Sequence, residues 1–443
     1  MLIARQASAS MQGLYNTGSS TRVNWLGVMN YSGTVTSFIS NESVRSGDYI
    51  YNVGYKTVSG INIGIIVKTS NSGDVVWQKT ITQSGSNVTL RCATVDTDGN
   101  LYVGGTSGTT VATWAKFNSS GSMLYARTVT STSTITKIHY LADRDCIISL
   151  NNSNPSTMIF YIIDKTLGTV LDGRSFGPGL AGAVTSVQQL FSIPGTNQVH
   201  MIGAWYSTSA SYARPFYQKI DIGTGAFGSR SLFYLNSTVA TALNGVSLSN
   251  ITSNTFYATG YTREGGSTQN KPFFIKLNTT GTISWQKRMN VGTLGASVMY
   301  NITNDANDNL ITIGTENTNT RLMINGISGL GNLNFSNLFD TPYNDIPTGI
   351  HSLPNKFIFT GNQFSNNSLL YGSLPYNGTV PGTGSYSVTG QAMTYQSTFA
   401  TLADTALTKV DLTVVSGTII SATVATPAYT VANGTDVLTT VNI

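Results

Sequence analysis

The chain has 443 residues, a formal net charge of +5, a pI near 9.0 and only 10% charged residues. Ser, Thr, Asn and Gly carry its polarity, while 22 Tyr and 17 Phe set it apart from the charge-rich, aromatic-poor composition of disordered chains. No run of Lys or Arg is present, which removes the footprint of a nucleic-acid groove, and no stretch of about 18 apolar residues offers a membrane-spanning helix.

In chain order, the opening MLIARQASASMQGLYNTG lacks the apolar core of a secretory signal, so the expectation is synthesis in a cytoplasm without export by that route. Residues 23–39 read as a hairpin turning at Gly33, within an N-terminal arm spanning 1–40. From residue 41 to 390 short alternating runs dominate, each bounded by Gly, Asn, Ser or Asp. Residues 61–68 place Ile61, Ile63, Ile65 and Val67 on one face. No window keeps a helical period, so the chain reads as all-β.

Two landmarks alternate along this region. Hairpin glycines recur at Gly33, Gly73, Gly121, Gly168, Gly225, Gly281, Gly329 and Gly378, where a tight turn needs positive φ. Small residues close the preceding strands at Gly54, Gly105, Ser149, Gly203, Gly260, Gly314 and Gly361, where crowding favours a missing side chain. Trp77-Gln78-Lys79 returns as Trp285-Gln286-Lys287, at the spacing that separates Gly73 from Gly281. Each repeat holds four strands in roughly 50 residues, the module of a β-propeller. A small sheet cannot cover both its faces alone, so such modules lean on one another around an axis. A linear β-solenoid is the competing architecture. Seven blades are expected over 41–390. The Thr- and Val-rich tail, 391–443, either joins the N-terminal hairpin as an eighth blade or forms a separate anchor.

The run VDTDGNLYVGG, with a following Lys strand and a Gly turn, resembles the seven-bladed β-propeller repeat family. Asp96, Gly99, Asn100, Tyr102, Val103, Gly105, Lys116, Gly121 and Tyr125 match its pattern in one repeat, and Tyr257, Gly260, Lys276, Gly281 and Trp285 in another. Repeats near 149 and 203 depart from it. The resemblance implies architecture and leaves activity open. In style, the uncharged polar β composition also resembles structural proteins of bacteriophage virions, such as tail nozzles and fibres.

Candidate chemistry is sparse. Asp96 and Asp98 could begin a calcium loop, but no distal Glu completes it and an Asx turn explains the same residues; Asp305 and Asp308 read likewise. His139, His200 and His351 sit in different repeats, where they could converge on the axis, but no carboxylate accompanies them at ligand spacing. Cys92 and Cys146 read as buried thiols. The few glutamates, Glu42, Glu264 and Glu316, do not form the carboxylate pair of a glycosidase, and nucleophile-elbow, Walker and zinc motifs are missing. Trp205, Tyr206 and Tyr212, in a loop-rich segment, are the candidate surface for stacking on glycans or a partner.

These readings lead to a non-enzymatic structural component of a phage virion, in the tail or a fibre, without cofactor or metal. Its expected partners are other virion proteins, further copies of itself in an assembly and host-surface glycans, with no membrane insertion and no nucleic acid. A bacterial surface module that binds glycans and a carbohydrate-active propeller enzyme are the alternatives.

Overall fold

Short alternating runs become antiparallel strands because each has an apolar face to bury and ends in residues that tolerate tight turns. The computed structural model describes residues 24–442 apart from 31–34, 133, 155–156, 177–182, 208–212, 225–229, 235–239, 264–268, 291–294, 317–320, 365–366, 380–384, 389–390, 398–400, 405–407, 413–417, 420–423 and 434–436. Its strands form seven sheets, each built on four strands paired antiparallel with their neighbours. Blades 1 to 6 span residues 35–82, 88–132, 134–176, 183–234, 241–290 and 297–340, and blade 7 combines 345–375 with 25–30. The first strand of each blade touches the first strand of the next, and that of blade 7 touches that of blade 1.

The core lies between blades. Leu101, Val103 and Phe117 of blade 2 meet Tyr51, Val53 and Ile66 of blade 1. Six further clusters join the remaining neighbours, ending with Trp25, Met29, Leu369 and Tyr371 of blade 7 against Phe38, Ile65 and Val67 of blade 1. The molecule is therefore a closed seven-bladed β-propeller.

The expected N-terminal hairpin does not form. Trp25–Asn30 lies between Ser368–Pro375 and Val437–Asn442 as the fourth strand of blade 7, while Val35–Ser46 is the inner strand of blade 1. Trp25, Leu26, Val28 and Met29 are all buried, so this strand needs cover on both faces, which a position inside the ring supplies and an arm does not. Gly33 falls outside the described residues.

The tail forms no separate eighth blade. It travels backwards around the circumference and adds an outer strand to every blade: Gln391–Ser397, itself edged by Ser385–Val388, on blade 6, Thr401–Asp404 on 5, Thr408–Leu412 on 4, Thr418–Ile419 on 3, Val424–Ala425 on 2, Thr430–Asn433 on 1 and Val437–Asn442 on 7. A blade's fourth strand otherwise offers open N–H and C=O groups to any passing chain, and this belt occupies them. In blades 1, 2, 3, 5 and 6 the fourth strand carries a bulge near its start, and the belt pairs only beyond it. A bulge bends the strand and breaks its ladder, so it blunts the edge that the belt leaves open.

The two glycine landmarks have separate packing reasons. The strand-end glycines oppose a bulge in each inner strand. Cβ atoms at Gly54, Gly105, Gly203, Gly260 and Gly314 would lie 1.9, 2.0, 2.0, 1.9 and 2.1 Å from main-chain oxygens of that strand. In blade 3 the equivalent position, opposite Ile135 and next to the bulge, is Asn151 rather than Ser149.

The hairpin glycines have positive φ at Gly73, Gly121, Gly168, Gly281 and Gly378. In the sixth blade the residue is Gly331 (φ 84°), not Gly329, and Gly225 is outside the described residues. Positive φ is half of the requirement. Trp25, Trp77, Tyr125, Trp285 and Phe335 of the preceding blades lie against Gly73, Gly121, Gly168, Gly331 and Gly378. Each polar ring also bonds a carbonyl of that turn: Trp77 to Ser119 at 3.1 Å, Tyr125 to Lys165 at 3.2 Å and Trp285 to Gly329 at 3.0 Å. Lysines on third strands reach the same carbonyls, Lys68 to Ser119 at 2.8 Å and Lys116 to Lys165 at 3.1 Å. The recurring Trp and Lys of the sequence are thus an inter-blade clasp.

Candidate functional site on the propeller axis

The inner-strand bulges turn one extra residue out of each ladder at a common level of the ring. These are Asn41, Arg91, Thr136, Gln188, Asn244, Tyr300 and Thr348. Six are amide or hydroxyl side chains. Asn41 donates to the carbonyl of Leu90 in blade 2, and Asn244 donates to the equivalent carbonyl of Met299 in blade 6 at 2.8 Å. Part of the ring therefore stitches neighbouring blades together.

One charged group crosses this level. Glu42 of blade 1 accepts the backbone N–H of Ala93 in blade 2 at 2.9 Å and pairs with Lys137 of blade 3 at 3.3 Å, so one carboxylate ties three blades. Both side chains are largely shielded, at 14% and 19% exposure, where a pair is worth more than on an open surface. Arg91 is exposed beside them. Glu42, Lys137 and Arg91 all bear on the Cys92 thiol, whose pKa burial pushes well up, with Glu42 adding to the rise and the two cations opposing it. Burial likewise raises Cys146 to about 11. Neither thiol is poised as a nucleophile.

His139 and His351 occupy the same position of their inner strands, three residues beyond the bulge. They do not meet. His351 Nε2 bonds Ser43 of blade 1 at 2.7 Å and His139 Nε2 bonds Ser192 of blade 4 at 2.9 Å, each sideways into the next blade. His200 sits on a second strand in the place that Tyr51, Tyr102 and Tyr257 hold elsewhere, stacked near Tyr217 with Nδ1 2.8 Å from its hydroxyl. Burial lowers all three, His139 to about 4 and His200 and His351 to about 3, with neighbouring Lys219 and Arg45 lowering the last two further. They are neutral at pH 7. Among the described residues no three His, Cys, Asp or Glu side chains gather as a metal site of that kind.

The Asp96 loop is a self-satisfied turn. Its Oδ1 accepts the N–H groups of Asp98 and Asn100, and its Oδ2 accepts the Asn100 amide and the Tyr102 hydroxyl. Asp305 binds Asn307 and Asn309 in the same way. Asp308 is a strut between blades, accepting Tyr257 at 2.9 Å and the Asn250 N–H at 2.7 Å.

The aromatic surface expected at 205–212 is only partly described. Trp205 lies in strand Gln198–Ser207, is 3% exposed within the core between blades 3 and 4, and faces the Arg214 guanidinium at 5.5 Å. It is no stacking platform, because the alternation of that strand turns it inward. The Tyr206 side chain and Tyr212 lie outside the described residues. Sequence reasoning missed the bulge ring altogether, although every member except Thr136 stands a near-constant distance upstream of a strand-end glycine.

No family model matches the chain, and no curated protein does. Solved structures similar to it include the β-propeller domain of Cps50 (Swd1) from Myceliophteria thermophila, at 9% identity and TM-score 0.48, covering 77% of this chain and 98% of that one. The C-terminal WD40 domain of Sif2 aligns at 9% identity and TM-score 0.39 over 78% of this chain and 99% of that one. The β-propeller domain of the Trilobed protease from Pyrococcus furiosus aligns at 8% identity and TM-score 0.42 over 77% and 97%. The likeness is one of architecture.

Proposed function

We propose that this chain is a non-enzymatic structural component of a bacteriophage virion, in the tail or a fibre, that works through protein–protein contact. The observation that carries the reading is the belt: a strand on the outer edge of every blade makes a ring with blunted edges. Such a ring suits a part that must be stacked in many copies without pairing at random. The uncharged Ser-, Thr-, Asn- and Gly-rich composition supports the same reading. So do the buried thiols and the neutral, internally bonded histidines. Labelling of intact particles, with electron microscopy to fix position and copy number, is the test. Absence of the chain from purified particles that infect normally overturns it.

Glycan binding by a surface module draws on the bulge ring, whose amides and hydroxyls with exposed Arg91 match the hydroxyls and a carboxylate of an acidic sugar. Binding to an array of acidic and neutral glycans, lost in Arg91→Ala, supports that alternative. Release of oligosaccharides from host polysaccharide supports the enzyme instead.

A further inference from the structure

The joint between blades 6 and 7 collects oxygen atoms with too few donors. Asp340 ends the fourth strand of blade 6, Asp345 begins the inner strand of blade 7, and Gln363 lies in register with Asp345 on the next strand. Asp345 and Gln363 are wholly buried. Thr341 donates its hydroxyl to Asp345 Oδ2 at 2.7 Å. Asp345 Oδ1 and Gln363 Oε1 are buried without a hydrogen-bond partner. Arg321, the cation that bears on Asp340, is held by Glu316 through contacts of 2.8 and 2.7 Å.

A carboxylate in such a place is strongly disfavoured unless positive charge joins it. Burial pushes Asp345 up to about 8, Thr341 and Gln363 restrain the rise, and the nearby Asp340 charge adds to it. Asp340 is itself raised by burial and by Glu316, with Arg321 opposing. Arg321 stands across the sheet from Asp340, so the acid without a positive neighbour is Asp345, and the two orphaned atoms are both hard oxygens.

We propose that this joint is a cation site of the calcium class, with Asp345 Oδ1 and Gln363 Oε1 as its side-chain ligands and the Asp340 charge as a nearby contributor. An all-oxygen set without His or thiolate excludes the softer transition metals, and calcium accepts irregular coordination completed by backbone carbonyls and water. Few charged ligands imply weak binding, with an apparent dissociation constant of about 0.1–1 mM. The ion would fasten the end of blade 6 to the start of blade 7, the blade that closes the ring from both parts of the chain. The inference is independent of the proposed virion role.

The full chain is freed of metal and its unfolding midpoint is followed in chelator, in magnesium and in calcium up to 10 mM at constant ionic strength. Calcium is expected to raise the midpoint by about 2 °C or more and to saturate, as ligand linkage requires. Asp345→Asn is nearly isosteric, keeps the fold by removing the buried charge, and is expected to abolish the response; Asp340→Asn is expected to weaken it. No calcium response between pH 6 and 9, with Asp345→Asn more stable than the parent at pH 9, overturns the proposal in favour of a buried protonated acid. A calcium response that survives Asp345→Asn overturns it too, because the ion then binds elsewhere.

Discussion

The clasp between blades makes a sharp prediction at Gly168. This residue has φ 72°, and a Cβ there would lie 2.5, 2.8 and 2.9 Å from three carbons of the Tyr125 ring. Placing an alanine at left-handed φ costs about 1–2 kcal/mol. The ring cannot easily withdraw. Its hydroxyl bonds the Lys165 carbonyl at 3.2 Å, Arg127 lies over it at 5.2 Å and it is 8% exposed. Displacing it adds about 1–3 kcal/mol of the overpacking kind. Gly168→Ala should therefore destabilise by about 3 kcal/mol. Gly99 is the control, with φ 78° and nothing within 4 Å of a Cβ. Gly99→Ala should cost only the backbone share, about 1 kcal/mol. Urea unfolding midpoints measure both. Tyr125→Ala removes the obstacle, so combined with Gly168→Ala it should be less destabilised than the sum of the singles by about 2 kcal/mol. Equal losses for Gly168→Ala and Gly99→Ala, or strict additivity in the double variant, would refute the clasp as the reason for the hairpin glycine.

Four further outcomes are expected. Gly105→Ala drives a Cβ to 2.0 Å from the Thr89 carbonyl and should cost more than about 3 kcal/mol, while Gly361→Ala meets its nearest carbonyl at 3.0 Å and should cost clearly less, both read by thermal unfolding. Glu42→Ala leaves Lys137 and the Ala93 N–H without their shared partner and should destabilise by about 2 kcal/mol in denaturant, with Lys137→Met milder. Deleting residues 385–443 bares the outer edge of every blade, so light scattering after size exclusion should show association; a monodisperse monomer with an unchanged midpoint would remove the belt's structural role. The unfolded chain takes up protons on histidine near pH 6.5, whereas His139, His200 and His351 in the fold resist until about 4, 3 and 3. Stability should therefore be full above pH 6.5 and fall as pH drops toward 4, and His351→Gln should flatten that slope by about one proton.

The seven repeats over 41–390 were legible because the clasp repeats, whereas an eighth blade stayed open until the pairing of the tail was known. Trp77 and Trp285 recur at one spacing since each must land on the turn of the blade after it. The misplacements at Gly329 and Ser149 arose where the pattern is diluted, in a turn that offers two glycines and in a strand whose crowded position holds Asn151. The candidate site was less legible. Bulge residues share no chemical type, so Asn41, Arg91 and Tyr300 cannot be matched by composition although backbone geometry makes them equivalent.

By itself the sequence determined what depends on short range: strands of period two, turns at glycine, Asx loops that satisfy themselves, and modules too small to bury both faces alone. Tertiary structure decided everything that depends on which distant segments meet. It sent Trp25–Asn30 into blade 7, spread the tail over all seven rims, turned Trp205 inward, and set Asp345 against Gln363 in a buried joint. The reason is physical. Alternation says that a strand has a face to hide, but main-chain hydrogen bonds are alike along every edge, so the partner is chosen by ring closure and by packing around the whole circle.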